Sequence, residues 1–207
     1  ILNNILPIGG KMTKKKPNVL ITGASSGIGE ALARHYAITG AGTLFISGRN
    51  RERLETVKTA CERYNVKVYA EVMDVTDRQN TAAWIKKCEE IAPLNIVYAN
   101  AGVATLEETP ENIYNTFNTN VIGVLNTLIP AVEIFKNRRD KHKTLVITSS
   151  IAGYHGLPSC PSYSASKACV KAYGEALRSE LRQFSIQVSV ICPVSYTHLR
   201  AHETKAN

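Results

Sequence analysis

Apolar residues in this chain fall in short runs separated by longer stretches of helical periodicity. The runs predict strands over Asn18–Thr22, Thr43–Ser47, Lys67–Val72, Ile96–Ala99, Thr144–Thr148 and Gln187–Ile191. The stretches between them predict helices near Gly27–Thr39, Arg51–Tyr64, Arg78–Ile91, Pro110–Lys136 and Ser162–Phe184. Nearly continuous apolar strands belong to parallel sheets buried on both faces, and strand–helix alternation builds such sheets from right-handed crossovers. The expectation is an α/β fold, a doubly wound parallel sheet in a single domain. No internal repeat, low-complexity segment or linker interrupts the pattern.

Composition narrows the class. The 207 residues carry a formal charge of +8, which raises nucleic-acid binding as a reading. The clearest basic run, Lys14 to Lys16, precedes the first strand and reads as a solvated cap, and an anionic cofactor accounts for part of the remaining positive charge. The expected partners therefore include no nucleic acid. Cys61, Cys88, Cys160, Cys169 and Cys192 form no C-x-x-C pair and no metal-ligand spacing. They read as reduced thiols of a cytoplasmic protein without a metal. No apolar run approaches the roughly 18 residues of a membrane span, so no membrane is expected either.

Both ends stand apart from this pattern. Val194 to Thr204 reads VSYTHLRAHET, the string encoded by one frame of what looks like a transposase sequencing-library adapter. Residues 194–207 are expected to be an artefactual tail and 1–11 a non-native leader ahead of Met12, leaving 12–193 as the domain. On that reading His198, His202 and Glu203, which have helical spacing, are not a zinc site.

Candidate chemistry gathers at the ends of the predicted strands. The first strand runs into Gly23-Ala24-Ser25-Ser26-Gly27-Ile28-Gly29 and then a helix. Glycines let the backbone turn tightly and approach a pyrophosphate, whose charge is favoured by the exposed amides of a helix N-terminus. The spacing is G-x-x-x-G-x-G rather than G-x-G-x-x-G. The second strand ends in Gly48-Arg49 where NAD-specific sites carry an acid for the ribose 2′-hydroxyl. A guanidinium there matches a 2′-phosphate, which points to NADP(H), with NAD(H) remaining open; alternatively Arg49 only caps a surface loop. Asp74, after the third strand, can accept a bond from an adenine amino group or cap the next helix, a task Asp77 can also fill. Asn100-Ala101-Gly102 follows the fourth strand, where ligands of open α/β sheets gather. Tyr163 and Lys167 stand four apart on a predicted helix and so share a face. An ammonium beside a phenol favours the phenolate, which allows tyrosine to act as acid or base below its usual pKa of about 10.

In combination these motifs resemble the short-chain dehydrogenases/reductases in their classical form, from about Asn18 to Pro193. T-G-x-x-x-G-x-G matches Thr22 to Gly29, N-A-G matches Asn100 to Gly102, N-V-x-G matches Asn120 to Gly123, and Y-x-x-x-K matches Tyr163 to Lys167. The resemblance implies a Rossmann-type sheet and a catalytic set of Asn120, Ser150, Tyr163 and Lys167. Ser150 lies thirteen residues before Tyr163; the adjacent Ser149 fits that spacing less well. It also implies cofactor contacts from Thr22, Gly23, Ser25, Ser26, Gly27, Ile28, Gly29, Arg49, Asp74, Val75, Asn100, Ala101, Gly102, Tyr163, Lys167 and Pro193.

The implied reaction moves a hydride between nicotinamide and a small-molecule ketone or secondary alcohol. Tyr163 donates the proton, Ser150 bonds the same oxygen, Lys167 holds the nicotinamide ribose and lowers the tyrosine pKa, and Asn120 positions a water. A homodimer or homotetramer is implied for the full-length form. Two departures stand out. Pro193 is followed by Val194 rather than glycine, so the final strand and the substrate lid are expected to be missing. That loss would leave the sixth strand as an exposed apolar edge prone to aggregation, in a chain nearly inactive. Tyr98-Ala99 replaces an asparagine-rich lead into N-A-G. Tyr154, His155 and Leu157 are expected to line one wall of the substrate pocket. A regulator that senses dinucleotide without turnover is the competing reading.

Overall fold

The strand Asn18–Thr22 (β1) buries its last four side chains completely or nearly so, as a strand covered on both faces must. The computed structural model describes residues 16–105 and 107–194. Within them β1 is followed by α1 (Gly27–Thr39), β2 (Thr43–Gly48), α2 (Arg51–Glu62), β3 (Lys67–Val72), α3 (Arg78–Ile91) and β4 (Ile96–Ala99). Then come α4 (Pro110–Phe117), a π turn (Asn118–Ile122), α5 (Gly123–Lys136), β5 (Lys143–Thr148), α6 (Pro161–Leu181) and β6 (Ile186–Ile191). All strand pairs are parallel, in the order β3-β2-β1-β4-β5-β6. This is the doubly wound, Rossmann-type sheet, with the order reversing between β1 and β4. The expected leader and the histidines of the expected tail lie outside the described residues.

Alternation along each strand splits the core in two. Leu20, Phe45, Val97, Leu145 and Val188 pack beneath α3, α5 and α6. Val19, Ile21, Leu44, Ile46, Tyr98 and Val146 pack beneath α1 and α2. Each such side chain contributes about 1.5–3 kcal/mol by leaving water. Tyr98 also spends its hydroxyl inside the core, 2.8 Å from that of Tyr36 on α1. The residue that departs from the usual lead into N-A-G thus ties β4 to α1, and burial raises the pKa of both phenols.

Helix ends follow local chemistry. Asn50 caps α2 by accepting from Arg53 N, Asp77 caps α3 by accepting from Asn80 N, and Thr109 caps α4 ahead of Pro110. α1 stops at Gly40, whose φ of 97° few other residues adopt. The predicted helix over 110–136 is interrupted by the π turn, where Gly123 N donates to Asn118 O rather than one residue later in the chain. α2 ends at Glu62, short of Tyr64, and α6 runs from Pro161 to Leu181 with a 3-10 turn, Arg182–Phe184, completing the predicted stretch.

β5 begins one residue early, at Lys143, because that lysine is not a loop residue. It is 1% exposed, and its Nζ donates to Phe135 O at 2.9 Å, Arg138 O at 2.7 Å and Phe184 O at 3.1 Å. One ammonium closes the carbonyl ends of two helical segments, α5 and the turn after α6. β6 forms one edge of the described sheet and β3 the other.

Candidate active site

Three strand ends are stitched together by short polar side chains. Thr22 Oγ1, at the end of β1, donates to Tyr98 O at 3.1 Å and accepts from Asn100 N at 3.1 Å and Ala101 N at 3.3 Å. Asn100 Nδ2 donates to Thr22 O at 3.0 Å and Gly23 O at 3.3 Å. Its Oδ1 accepts from Thr148 Oγ1, at the end of β5, at 3.2 Å. The Asn100 and Thr22 side chains therefore shape the turn, and their own polar atoms are committed to that task.

The turn they shape has room only for glycine. Gly23 has a φ of +68°, and a Cβ there would lie 2.6 Å from Ala101 Cα. A Cβ on Gly29 would lie 2.2 Å from Gly23 O. Ser26 stands at the N-cap of α1 in extended conformation without a side-chain capping bond, so no hydroxyl takes the amides of the first turn. Those amides, with Ser25, Gly27 and Ile28 around them, are suited to an anion. This is a cradle that side chains would fill, and it fits the pyrophosphate of a dinucleotide.

Beside the cradle, Gly48 is buried at the end of β2, and a Cβ on it would meet Ser25 Oγ at 3.0 Å. Arg49 is exposed, with Nη1 3.7 Å from Asp74 Oδ2. Asp74 Oδ1 accepts from Thr76 N at 2.9 Å, while Asp77 does the helix capping. Val75 points inward: its side chain packs against the Gly123 backbone and its carbonyl accepts from Asn126 Nδ2 at 2.9 Å.

At the other end of the cleft the π turn holds Asn120. That side chain is fully buried, with Oδ1 accepting from Val103 N at 2.7 Å and Nδ2 donating to Val103 O at 2.9 Å and Ser166 Oγ at 3.0 Å. Ser166 Oγ in turn donates to Tyr163 O at 2.7 Å. Asn120 thereby clamps the segment after β4 to the turn of α6 that carries Tyr163. The half-buried Tyr163 ring has Lys167 Nζ 5.7 Å from its centroid. Lys167 is 3% exposed and donates to Thr148 O at 2.9 Å. Burial pushes its pKa down to about 8, partly offset by Cys192. Gly102 lies against two of these side chains: a Cβ there would lie 3.2 Å from both Asn120 Oδ1 and Lys167 Nζ.

The two adjacent serines do different things. Ser149 Oγ donates to Lys167 O at 2.8 Å, which seats α6. Ser150 begins the turn Ile151–Gly153, and its Oγ accepts from Ala152 N at 3.2 Å. That turn lies close on α6, since a Cβ at Gly153 would meet Lys167 O at 2.9 Å. Ile151 N donates to Pro193 O at 3.2 Å, bringing the segment after β6 alongside. Beyond it Tyr154, His155 and Leu157 are exposed, with Lys171 Nζ 4.4 Å from the Tyr154 ring centroid.

One contributor escaped sequence reasoning. α6 starts at Cys160-Pro161 with no side-chain cap of its own. Glu108, from the connection after β4, supplies it: Oε1 accepts from Ser162 N at 3.1 Å and Ser162 Oγ at 2.8 Å. The absence of a good capping residue at position 160 was the available signal.

The family described as short chain dehydrogenase matches residues 17–206. An uncharacterized oxidoreductase of Bacillus subtilis is 32% identical over 87% of this chain and 65% of its own length. An uncharacterized oxidoreductase of Myxococcus xanthus is 35% identical over 84% of this chain and 70% of its own. Among solved structures, a short chain dehydrogenase/reductase from Burkholderia phymatum in complex with NAD superposes with a TM-score of 0.81 at 25% identity, covering 87% of this chain and 66% of that one. The chain thus spans about two thirds of the length of these relatives.

Proposed function

The chain belongs to the short-chain dehydrogenase family, and from that premise we propose that it is an NADP(H)-dependent oxidoreductase interconverting a ketone and a secondary alcohol. The observation that carries this reading is the buried Lys167 ammonium beside the Tyr163 ring, at the same strand edge as the glycine cradle.

A nicotinamide dinucleotide bound at this edge supplies the hydride. Gly23 to Gly29 would hold its pyrophosphate, and Gly102 leaves the space beside Lys167 that its ribose needs. Tyr163 would act as the general acid toward a developing alkoxide, with Ser150 bonding the same oxygen. Near neutral pH Lys167 keeps its proton, so its charge stabilises the phenolate that remains after proton donation. Asn120, whose side chain is committed to Val103 and Ser166, holds the Tyr163 turn in place and would position the water that returns the proton. Gly48 offers no acid to a ribose 2′-hydroxyl, while the exposed Arg49, steadied by Asp74, can meet a 2′-phosphate. This favours NADP(H), although the Burkholderia phymatum relative holds NAD.

Fluorescence titration with NADPH and NADH tests the reading. NADPH is expected to bind at least tenfold more tightly, with the preference lost in Arg49→Asp. Equal affinity for both nucleotides sinks the cofactor preference, and a folded chain that binds neither sinks the site. A panel of ketones then tests turnover, with Tyr163→Phe as the inactive control.

A further inference from the structure

Because all six strands run parallel, their first residues lie together at one end of the sheet, and the helices returning to them finish there. This end is opposite the glycine cradle and Tyr163. It is strongly basic. Lys16 precedes β1, Arg63 and Lys67 flank the connection into β3, Arg139 and Lys141 precede β5, and Arg182 precedes β6; all six are exposed. None has an ion-pair partner among the described residues. Of the acids at this end, Glu89 and Asp140 are paired with Arg138 and Glu180 with Lys136, which leaves Glu62, Glu90 and Glu133. The connections and first helical turns at the opposite end carry Glu30, Glu52, Asp74, Asp77, Glu107, Glu108 and Glu111 against Arg49, Arg51, Arg53 and Arg78. The chain's positive charge is therefore not gathered around the candidate cofactor site.

Helix dipoles account for only part of the arrangement. Arg63 and Arg182 are the C-cap residues of α2 and α6, and Lys16 lies beside Gly40, the C-cap of α1, where a cation complements the dipole; Lys67, Arg139 and Lys141 stand outside the helix ends. The same end also exposes large apolar side chains, one near the close of each of four helices. Ile38 is 60% exposed, Tyr64 52%, Ile91 40% and Phe184 36%. Lys136 Nζ lies 4.9 Å from the Phe184 ring centroid. Apolar tips interleaved with unpaired cations match a surface that is anionic above and hydrocarbon below.

We propose that this end of the sheet docks on an anionic lipid bilayer, the cations on lipid phosphates and carboxylates and the four apolar tips in the headgroup region. A nucleic acid would use the cations but gains nothing from isoleucine tips, which offer no face for base stacking. No helix among the described residues is long and apolar enough to cross a membrane, so the attachment is to the surface. It leaves the cofactor edge turned toward water.

Vesicle co-sedimentation of the full chain tests this, comparing phosphatidylcholine alone with phosphatidylcholine containing about one third phosphatidylserine, near 0.1 M salt. Binding to the anionic vesicles only is expected. Arg139→Glu with Lys141→Glu should weaken it at least tenfold, at about fivefold per cation lost. Tyr64→Ser with Phe184→Ser should weaken it severalfold and make what remains more salt-sensitive. NADPH affinity, read at the opposite end, reports folding of each variant and keeps a failure here separate from a failure of the cofactor site. No binding to anionic vesicles, or binding indifferent to both double variants, overturns the proposal. So does tighter binding to mixed-sequence RNA that the apolar variants leave unchanged.

Discussion

Lys167 Nζ lies 2.9 Å from the carbonyl oxygen of Thr148, the residue that ends β5. The contact holds a charge inside the protein, and burial lowers the lysine pKa to about 8 from 10.5. Between those values the unfolded chain retains a proton that the folded chain has released, so stability rises with pH through this window. Below it the buried ammonium is a penalty. Urea denaturation near pH 7 and near pH 9.5 should show the wild type gaining about 2 kcal/mol relative to Lys167→Met. Parallel trends in the two proteins would remove the depressed lysine from the account.

Glycine positions separate sharply by what a methyl group would strike. Gly29→Ala places Cβ 2.2 Å from Gly23 O, backbone that cannot yield. It should cost at least about 2–3 kcal/mol, as overpacking of rigid surroundings does, and should abolish nucleotide binding. Gly102→Ala meets Asn120 Oδ1 and Lys167 Nζ at 3.2 Å; it should shift the unfolding midpoint little while weakening NADPH at least tenfold. Gly156→Ala has open space around it and should change stability by no more than about 0.5 kcal/mol. Thermal unfolding with NADPH titration of the three variants orders them.

Lys143→Met keeps most of the apolar stem but abandons three carbonyls. A loss of about 3–5 kcal/mol is expected in denaturant unfolding, because three carbonyls lose their charged donor at about 1–3 kcal/mol each. A loss below about 1 kcal/mol would mean that water takes over the carbonyls without cost.

Glu108→Ala removes the cap that α6 borrows from the β4–α4 connection. Stability should fall by about 1–2 kcal/mol, and Glu108→Gln should recover part of it by keeping an acceptor without the charge. Hydrogen exchange at the Ser162 to Ser164 amides should quicken in the alanine variant. Unchanged protection there would show the contact to be idle.

Much of the fold was legible because strand burial writes itself as apolar runs: β1, β3, β4, α1 and α3 begin and end where the pattern places them. What escaped was set by contacts distant in sequence. Periodicity carries through the π turn, since one extra residue between hydrogen-bonded groups leaves the apolar stripe nearly continuous, and so α4 and α5 read as one helix. Lys143 reads as loop because charge is counted as solvent-facing, yet three carbonyls make its burial favourable. At the site, motif spacing singled out Asn120, Tyr163 and Lys167, but the local bonds of the two serines were not legible: Ser149 Oγ donates to the α6 backbone and Ser150 Oγ accepts from Ala152 N. Nor could spacing show that the Asn100 side chain is committed to Thr22, Gly23 and Thr148, or that Val75 faces the core, because those facts depend on which neighbours arrive.

The network joining Thr22, Asn100 and Thr148 also dictates an order of assembly. Asn100 reaches Thr22 across 78 residues of sequence, and Thr148 reaches Asn100 across 48. Contacts so distant form late, after loop-closure entropy has been overcome. The glycine turn leaves a ribosome before Asn100 and Thr148 do, so its shape depends on residues made later. A nascent chain that ends before Thr148 therefore carries the motif without the cradle, and nucleotide cannot serve as a template for its early folding.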